Sequence, residues 1–184
     1  FQLIIRIAMF LSIVIPCYNE EENIPFLIQK CKGIASKNIE VILVNNGSLD
    51  NSLQILKTLL KNSKFIKIIN VKKNIGYGHG ILKGLEKASG DFLGWTHADL
   101  QTDINDVLEG IKYLKKDEKI LVKGTRNKRP FKDNFFTVGM SVFETILFRK
   151  FFWDVNAQPN LFNRSFYESW SNPPADFSLD LYRC

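Results

Sequence analysis

Five short clusters along this chain combine residue types able to hold a phosphate-bearing ligand. They are Pro16-Cys17-Tyr18-Asn19-Glu20, Asn45-Asn46-Gly47-Ser48, Lys72-Lys73-Asn74, His97-Ala98-Asp99-Leu100-Gln101 and Gly124-Thr125-Arg126. Each follows a short apolar run that reads as a strand. In an open parallel sheet, ligands sit beyond the carboxyl ends of the strands. Four of the five clusters are polar and stand where a nucleotide would bind. Loops are polar in any protein, which accounts for one such cluster far better than for the set. Gly76, Gly78 and Gly80 recur at alternate positions at the start of a helical pattern. Glycines there let backbone approach a diphosphate. His79 lies among them, a placement in which histidine more often packs than reacts.

The elements that must carry these clusters follow from hydrophobic periodicity. Residues 11–16 (LSIVIP), 40–45 (EVILVN), 65–71, 91–96 (DFLGWT) and 119–125 (KILVKGT) read as strands. Helical spacing covers 20–35, 50–60, 76–88 and 103–114. In the first helix Ile24, Leu27, Ile28, Cys31 and Ile34 share a face; in the second Leu53, Leu56 and Leu60 point inward. Thr102 or Asp103 is expected to cap the fourth. Strands alternating with helices imply βα units and a mostly parallel sheet. After residue 125 the period changes. Residues 126–134 (RNKRPFKDN) read as a basic loop, 135–152 as a long aromatic helix, and 160–163 as a short strand. No repeat, low-complexity segment or linker interrupts the chain, so residues 1–184 read as a single domain.

Composition narrows the classes. With 184 residues, 45% of them hydrophobic and 24% charged, the chain is globular rather than a disordered tail, a collagen-like repeat or a mucin-like stalk. Cys17, Cys31 and Cys184 are too few and too scattered for a disulfide framework or a zinc site, which suggests a reducing, cytoplasmic compartment. Twenty-five Lys and Arg against 19 Asp and Glu give +6. That excess suits a phosphate-bearing ligand, nucleic acid or an anionic membrane surface, and equally a basic surface kept for solubility. Residues 1–8 (FQLIIRIA) precede the first methionine, Met9, and read as a non-native leader; the C-terminal end reads as truncated. Residues 2–16 are interrupted by Arg6, Ser12 and Pro16. They fall short of the ~20 apolar residues of a membrane helix and lack the flanks of a secretory signal.

Taken in order, VIPCYNEEENI, VNNGSLDNS, NIGYGHGILKGLEKASGD, HADLQTD and KGTR resemble the motifs of inverting family-2 glycosyltransferases with the GT-A fold. The nearest branch is the polyprenyl-phosphate or dolichyl-phosphate glycosyltransferases, which carry PxYNE, VDDGS, a glycine-rich NxGxGxA-type segment, DADLQ and GSR. The resemblance covers roughly residues 11–126 strongly and 135–165 weakly. It implies a Rossmann-like α/β/α sandwich with a mostly parallel central sheet.

The resemblance also assigns roles. Pro16, Tyr18 and Glu20 would hold the nucleotide's base and ribose, Tyr18 by its flat face and Glu20 by accepting from ribose hydroxyls. Glu20 would equally suit the first turn of a helix. Asn45-Asn46 stands where the family has two aspartates. An amide at Asn46 can still accept from a base and can also donate to it; an Asn before Gly47 also suits a turn. Gly76 and Gly78 would approach the diphosphate, and His97 and Ala98 would complete the nucleotide-sugar site. In the family a DxD-like motif binds a divalent metal that stabilises charge on the leaving group. Here His97 replaces its first carboxylate, leaving Asp99 and Gln101. A set of His97, Asp99 and Gln101 would favour Mn²⁺ over Mg²⁺. Alternatively His97 donates to the donor phosphate or merely ends a strand.

Arg126 matches the arginine that faces the acceptor phosphate in the family, and Arg129 and Lys132 extend that positive patch. Asp176, in PPADFSLD, is the candidate general base for an alcohol acceptor; an anionic lipid phosphate would need none. The aromatic and basic face of 143–153 suits a membrane interface beside a lipid acceptor, as it suits a core. Gln158-Pro159 departs from the branch's pattern. The expectation is an enzyme that transfers a sugar from a nucleotide-diphosphate sugar to a lipid phosphate or other glycan acceptor, with Asp99, Arg126 and Asp176 in catalysis. It would work in the cytoplasm, in peripheral contact with a membrane and with no nucleic-acid partner. The rival is a degenerate GT-A domain that binds nucleotide sugar or a protein partner without turnover. A sugar nucleotidyltransferase ranks last, because no G-x-G-T-R-[LM] loop follows the first strand.

Overall fold

The computed structural model describes residues 10–114, 118–125 and 157–182. Their strands form one six-stranded sheet in the order β3-β2-β1-β4-β6-β5. β1 (Leu11–Cys17) is central, flanked by β2 (Ile39–Asn46) and β4 (Phe92–Trp95), with β3 (Ile66–Val71) outside β2. All these pairs are parallel. The short strand expected near 160 is β6 (Asn160–Asn163). It runs antiparallel to β4 and separates it from β5 (Leu121–Lys123).

The period-two alternation of the buried strands divides two cores. Leu11, Ile13, Ile15 and Cys17 of β1 join Val41 and Leu43 of β2 on one face, under α1 (Ile24–Ile34) and α2 (Ser52–Leu59). Val14, Ile42 and Val44 face the other way, with Ile81 and Leu85 of α3 (Tyr77–Leu85), Trp95 and Phe162. Helices on both faces explain why β1 reads as a mainly apolar run rather than alternating with polar residues. Leu56 and Leu60 are buried as expected, while Leu53 is half-buried.

Helix starts differ from expectation. α1 begins at Ile24, not residue 20, with Pro25 in its first turn. Residues 19–22 are drawn away to the loop after β2. The fourth helix, α4 (Asp106–Gly110), continues as a 3-10 turn over Ile111–Tyr113. Neither Thr102 nor Asp103 caps it: Thr102 bonds Thr96 at 3.1 Å, and Asp103 Oδ1 accepts from Asn105. Among the described residues the remaining helices are α5 (Arg164–Glu168) and α6 (Leu179–Tyr182). The basic loop 126–134 and the aromatic helix 135–152 lie outside the described residues.

Candidate functional site

The carboxyl ends of β1, β2, β3 and β4 open onto one cleft of about 360 Å³. After β1 it is lined by Pro16, Tyr18 and Glu20, and after β2 by Asn46. Asn74, Gly76 and Tyr77 follow β3; His97, Ala98 and Asp99 follow β4; Phe177 closes the rim. Of the residues expected at a nucleotide-sugar site, the structure brings together Pro16, Tyr18, Glu20, Asn46, Gly76, His97, Ala98 and Asp99. A larger cavity of about 500 Å³ lies between α4 and β5–β6, lined among others by Glu109, Tyr113, Lys123 and Thr125. It holds fewer of the expected groups, so the chemistry points to the smaller cleft.

The first two loops brace each other. Asn19 takes a left-handed backbone (φ 54) and its Oδ1 accepts from the Leu49 N–H at 2.8 Å. The Glu20 N–H donates to Ser52 Oγ at 2.9 Å, and the Glu21 N–H to Asp50 Oδ2 at 3.1 Å. Burial pushes the Asp50 carboxyl up, but hydrogen bonds from Ser52 and Glu21 outweigh it and hold the group below the usual range. Glu20 therefore sits in a loop tied to its neighbour, with Oε2 accepting from Asn23 Nδ2 at 2.7 Å, and not in the first turn of α1.

Asn46 is 2% exposed and splits its amide between two tasks. Nδ2 donates to the Gly76 carbonyl at 3.0 Å, while Oδ1 is buried with no partner among the described residues. A carboxylate here would face the Gly76 carbonyl with no proton to give it, which is a physical reason for asparagine. The unpaired Oδ1 is a buried acceptor in a residue that lines the cleft. Asn45 is similar, donating to Asn70 Oδ1 at 2.7 Å and leaving its own Oδ1 unpaired.

Gly76 has φ 142, a conformation L side chains rarely adopt, and a Cβ there would run into the Ala175 carbonyl. Gly78 does not line the cleft. The expectation that it would approach a diphosphate is corrected: its open side is filled by the backbone of Pro174–Asp176, with the Asp176 carbonyl 2.6 Å from where a Cβ would stand. The same segment is pinned by the His79 N–H, which donates to the Ala175 carbonyl at 2.7 Å.

Asp99 is half-buried in a tight turn whose next residue, Leu100, is left-handed (φ 61). Its Oδ1 accepts from the Gln101 N–H at 3.0 Å. Gln101 is exposed and absent from the cleft lining, so it serves Asp99 through its backbone. The His97 ring stacks on Tyr77, with centroids 5.5 Å apart. Among the described residues no three His, Cys, Asp or Glu side chains gather closely enough to hold a metal by themselves. Of the set His97, Asp99 and Gln101, the first two line the cleft and Gln101 does not; Glu20 is the other carboxylate in the lining.

Asp176 is exposed. Hydrogen bonds from the Ser178 hydroxyl and N–H hold its carboxyl below the usual range, which makes it a weak proton acceptor. It stands beside the rim residue Phe177 but not in the cleft lining. Arg126, Arg129 and Lys132 lie outside the described residues. Asn74, in the cluster after the third strand, lines the cleft; sequence reasoning missed Tyr77 and Phe177. Tyr77 sits between two glycines that drew the attention, and Phe177 carries no motif. Cys17 and Cys31 are buried free thiols, and burial pushes Cys31 up to about 12. No helix among the described residues is long and apolar enough to cross a membrane.

A mostly parallel sheet whose strand-end loops converge on one cleft defines an α/β nucleotide-binding domain of the GT-A kind. The model of glycosyl transferase family 2 matches residues 12–178, and the chain belongs to that family. The undecaprenyl-phosphate 4-deoxy-4-formamido-L-arabinose transferase of Yersinia enterocolitica serotype O:8 is 40% identical over 102 residues, 52% of this chain and 31% of that protein. The chain therefore spans about a third of the curated relatives it matches. Glucosyl-3-phosphoglycerate synthase of Mycobacterium tuberculosis, solved with Mn²⁺, UDP and phosphoglyceric acid, superposes with a TM-score of 0.74 at 17% identity, over 94% of this chain and 62% of that one. The Pyrobaculum calidifontis mannosyltransferase PcManGT, solved with GDP-Man and Mn²⁺, gives 0.71 at 19% identity, over 95% and 50%. These structural likenesses establish the fold.

Proposed function

We propose that the protein transfers a sugar from a nucleoside-diphosphate sugar to a lipid phosphate of the polyprenyl class, with inversion at the anomeric carbon. The convergence of four strand-end loops on one cleft, with Tyr18, Asn46 and Asp99 all lining it, carries the reading. Tyr18 and Asn46 take the base, Glu20 the ribose, and Gly76 and His97 the diphosphate side. The anionic acceptor oxygen forms a bond to the anomeric carbon as the bond to the diphosphate oxygen breaks. Such an acceptor arrives deprotonated, which accords with the weak basicity of Asp176. Its phosphate is assigned to Arg126, Arg129 and Lys132, as the family's motif order implies.

Asp99, which lines the cleft, would hold a divalent cation beside the donor's diphosphate. Mn²⁺ or Mg²⁺ held so would neutralise charge on the leaving diphosphate. The relatives named for undecaprenyl phosphate support a lipid-phosphate acceptor, and with it peripheral contact at the cytoplasmic face of a membrane.

The test is a thermal-shift and calorimetric screen of UDP-, GDP- and dTDP-sugars, each with Mn²⁺, Mg²⁺ or chelator. One nucleotide class should raise the melting temperature by linkage, more so with metal. A flat response to every nucleotide would refute the reading. Binding without transfer to undecaprenyl phosphate, with the chain's Arg126 region intact, would refute the acceptor.

A further inference from the structure

Three rings stand in a ladder along one wall of the cleft. Tyr77 is the middle rung. The His97 ring stacks with it at 5.5 Å and 23° between planes, and the Phe177 ring at 5.1 Å and 11°. All three line the cleft. Phe177 is nonetheless 75% exposed, and Tyr77 is its only ring partner among the described residues. A large aromatic ring left so open on a cleft wall offers surface for a ligand to cover.

The ladder is held in place from several sides. The Gln158 side chain, only 4% exposed, donates from Nε2 to the Tyr77 hydroxyl at 3.4 Å and accepts at Oε1 from Asn160 Nδ2 at 2.7 Å. Phe177 is carried by the 174–176 segment, which packs onto Gly76 and Gly78 and is bonded to the His79 N–H. Two departures from the branch's pattern, His97 in place of a carboxylate and Gln158-Pro159, meet at this ladder.

The position of the ladder says which part of a ligand it meets. Tyr18 and Asn46 lie at the β1–β2 side of the cleft. The ladder ends at His97, two residues from Asp99, where the diphosphate stands in the proposed function. A sugar joined to that diphosphate lies beside the rings, and its C–H face matches an aromatic surface in a way that phosphate does not. We propose that the Phe177–Tyr77–His97 ladder is a stacking subsite for the donor's sugar ring, with Phe177 as its specificity-determining platform. The inference rests on the nucleotide-sugar reading given above.

Calorimetric titrations of the full chain with UDP and UDP-glucose, and with GDP and GDP-mannose, test it. The wild type is measured first. If it binds neither pair, the nucleotide-sugar reading fails and the sugar subsite fails with it. For the pair that binds, Phe177→Ala should weaken the nucleotide sugar by about three- to tenfold, the worth of one stacked ring. The bare nucleoside diphosphate should change less than about twofold, since the ring meets only the sugar. Phe177→Trp should retain affinity for the nucleotide sugar. Tyr77→Leu should reproduce the Phe177→Ala pattern. Equal weakening of both ligands in Phe177→Ala would overturn the sugar assignment, because the ring would then serve the nucleotide or the fold. No change in either ligand would overturn it as well.

Discussion

Replacing Glu40 by Gln tests how the sheet beneath the cleft is held, with a magnitude that can be worked out. Glu40 is 3% exposed near the start of β2. Its Oε1 accepts from Ser12 Oγ at 2.5 Å, and from the Ser89 N–H and hydroxyl at 2.6 and 2.7 Å. Lys67 Nζ pairs with Oε2 at 2.5 Å, and the Gly90 N–H completes the knot through Ser12. Four segments are thereby joined at the amino end of the sheet, opposite the cleft: β1, β2, β3 and the turn before β4. Burial alone would raise this carboxyl, but the hydrogen bonds from Lys67, Ser12 and Ser89 outweigh it and bring it from 4.5 to about 2.

A carboxyl depressed in the folded state stabilises the fold above its unfolded pKa, and that stability is lost as pH falls through the folded value. The full drop corresponds to ~3 kcal/mol, reduced to about 2 kcal/mol because Lys67 is half exposed and screened. Most of the loss falls between pH 4.5 and about 2. Glu40→Gln sets an amide N–H₂ against Lys67 and has no proton to take up. The variant should therefore be less stable than wild type at pH 6 by ~2 kcal/mol, and the gap should narrow by more than ~1 kcal/mol at pH 3. Urea unfolding followed by tryptophan fluorescence at both pH values reads the gap directly. Curves that stay parallel from pH 6 to pH 3 would refute the argument, since the carboxyl would then titrate alike in both states.

Asp99→Ala should abolish the metal-dependent part of donor binding, while Glu20→Ala should weaken binding less; calorimetry with and without Mn²⁺ separates them, and normal metal-dependent binding by Asp99→Ala would end the metal role. Asn46→Asp buries a carboxylate against the Gly76 carbonyl and should cost ~1–3 kcal/mol at neutral pH, measured by urea unfolding. Gly76→Ala meets both an unfavourable backbone and the Ala175 carbonyl, and should cost ~1–3 kcal/mol while making the 173–178 segment more accessible to proteolysis.

The strand-end clusters were legible because two periodicities coincide there. Runs such as LSIVIP and EVILVN are buried on both faces, so they stand out as mainly apolar stretches, and whatever follows them must lie at the sheet's carboxyl edge. That geometry sufficed to bring Tyr18, Asn46 and Asp99 to one cleft. Helix starts were less legible, because capping residues competed with tertiary partners. Glu20 and Glu21 bond to Ser52 and Asp50 across a gap of about thirty residues, and no local pattern encodes that. Gly78 was misread for a similar reason. A glycine that makes room says nothing about what fills the room, and here it is a chain segment almost a hundred residues later.

His97 shows where reading by position reaches its limit. Aligned with a carboxylate, it looked like a softer metal ligand, since imidazole and carboxylate both donate to cations. The motif does not include Tyr77, whose ring stacks on the imidazole, nor Phe177 beyond it. An imidazole has two uses, an edge that coordinates and a face that stacks, and a motif records only the edge. Here the face of His97 is engaged by Tyr77, which makes the imidazole the inner rung of an aromatic wall. Two of the changes that set this chain apart from its branch, His97 and Gln158, meet at the same residue, Tyr77.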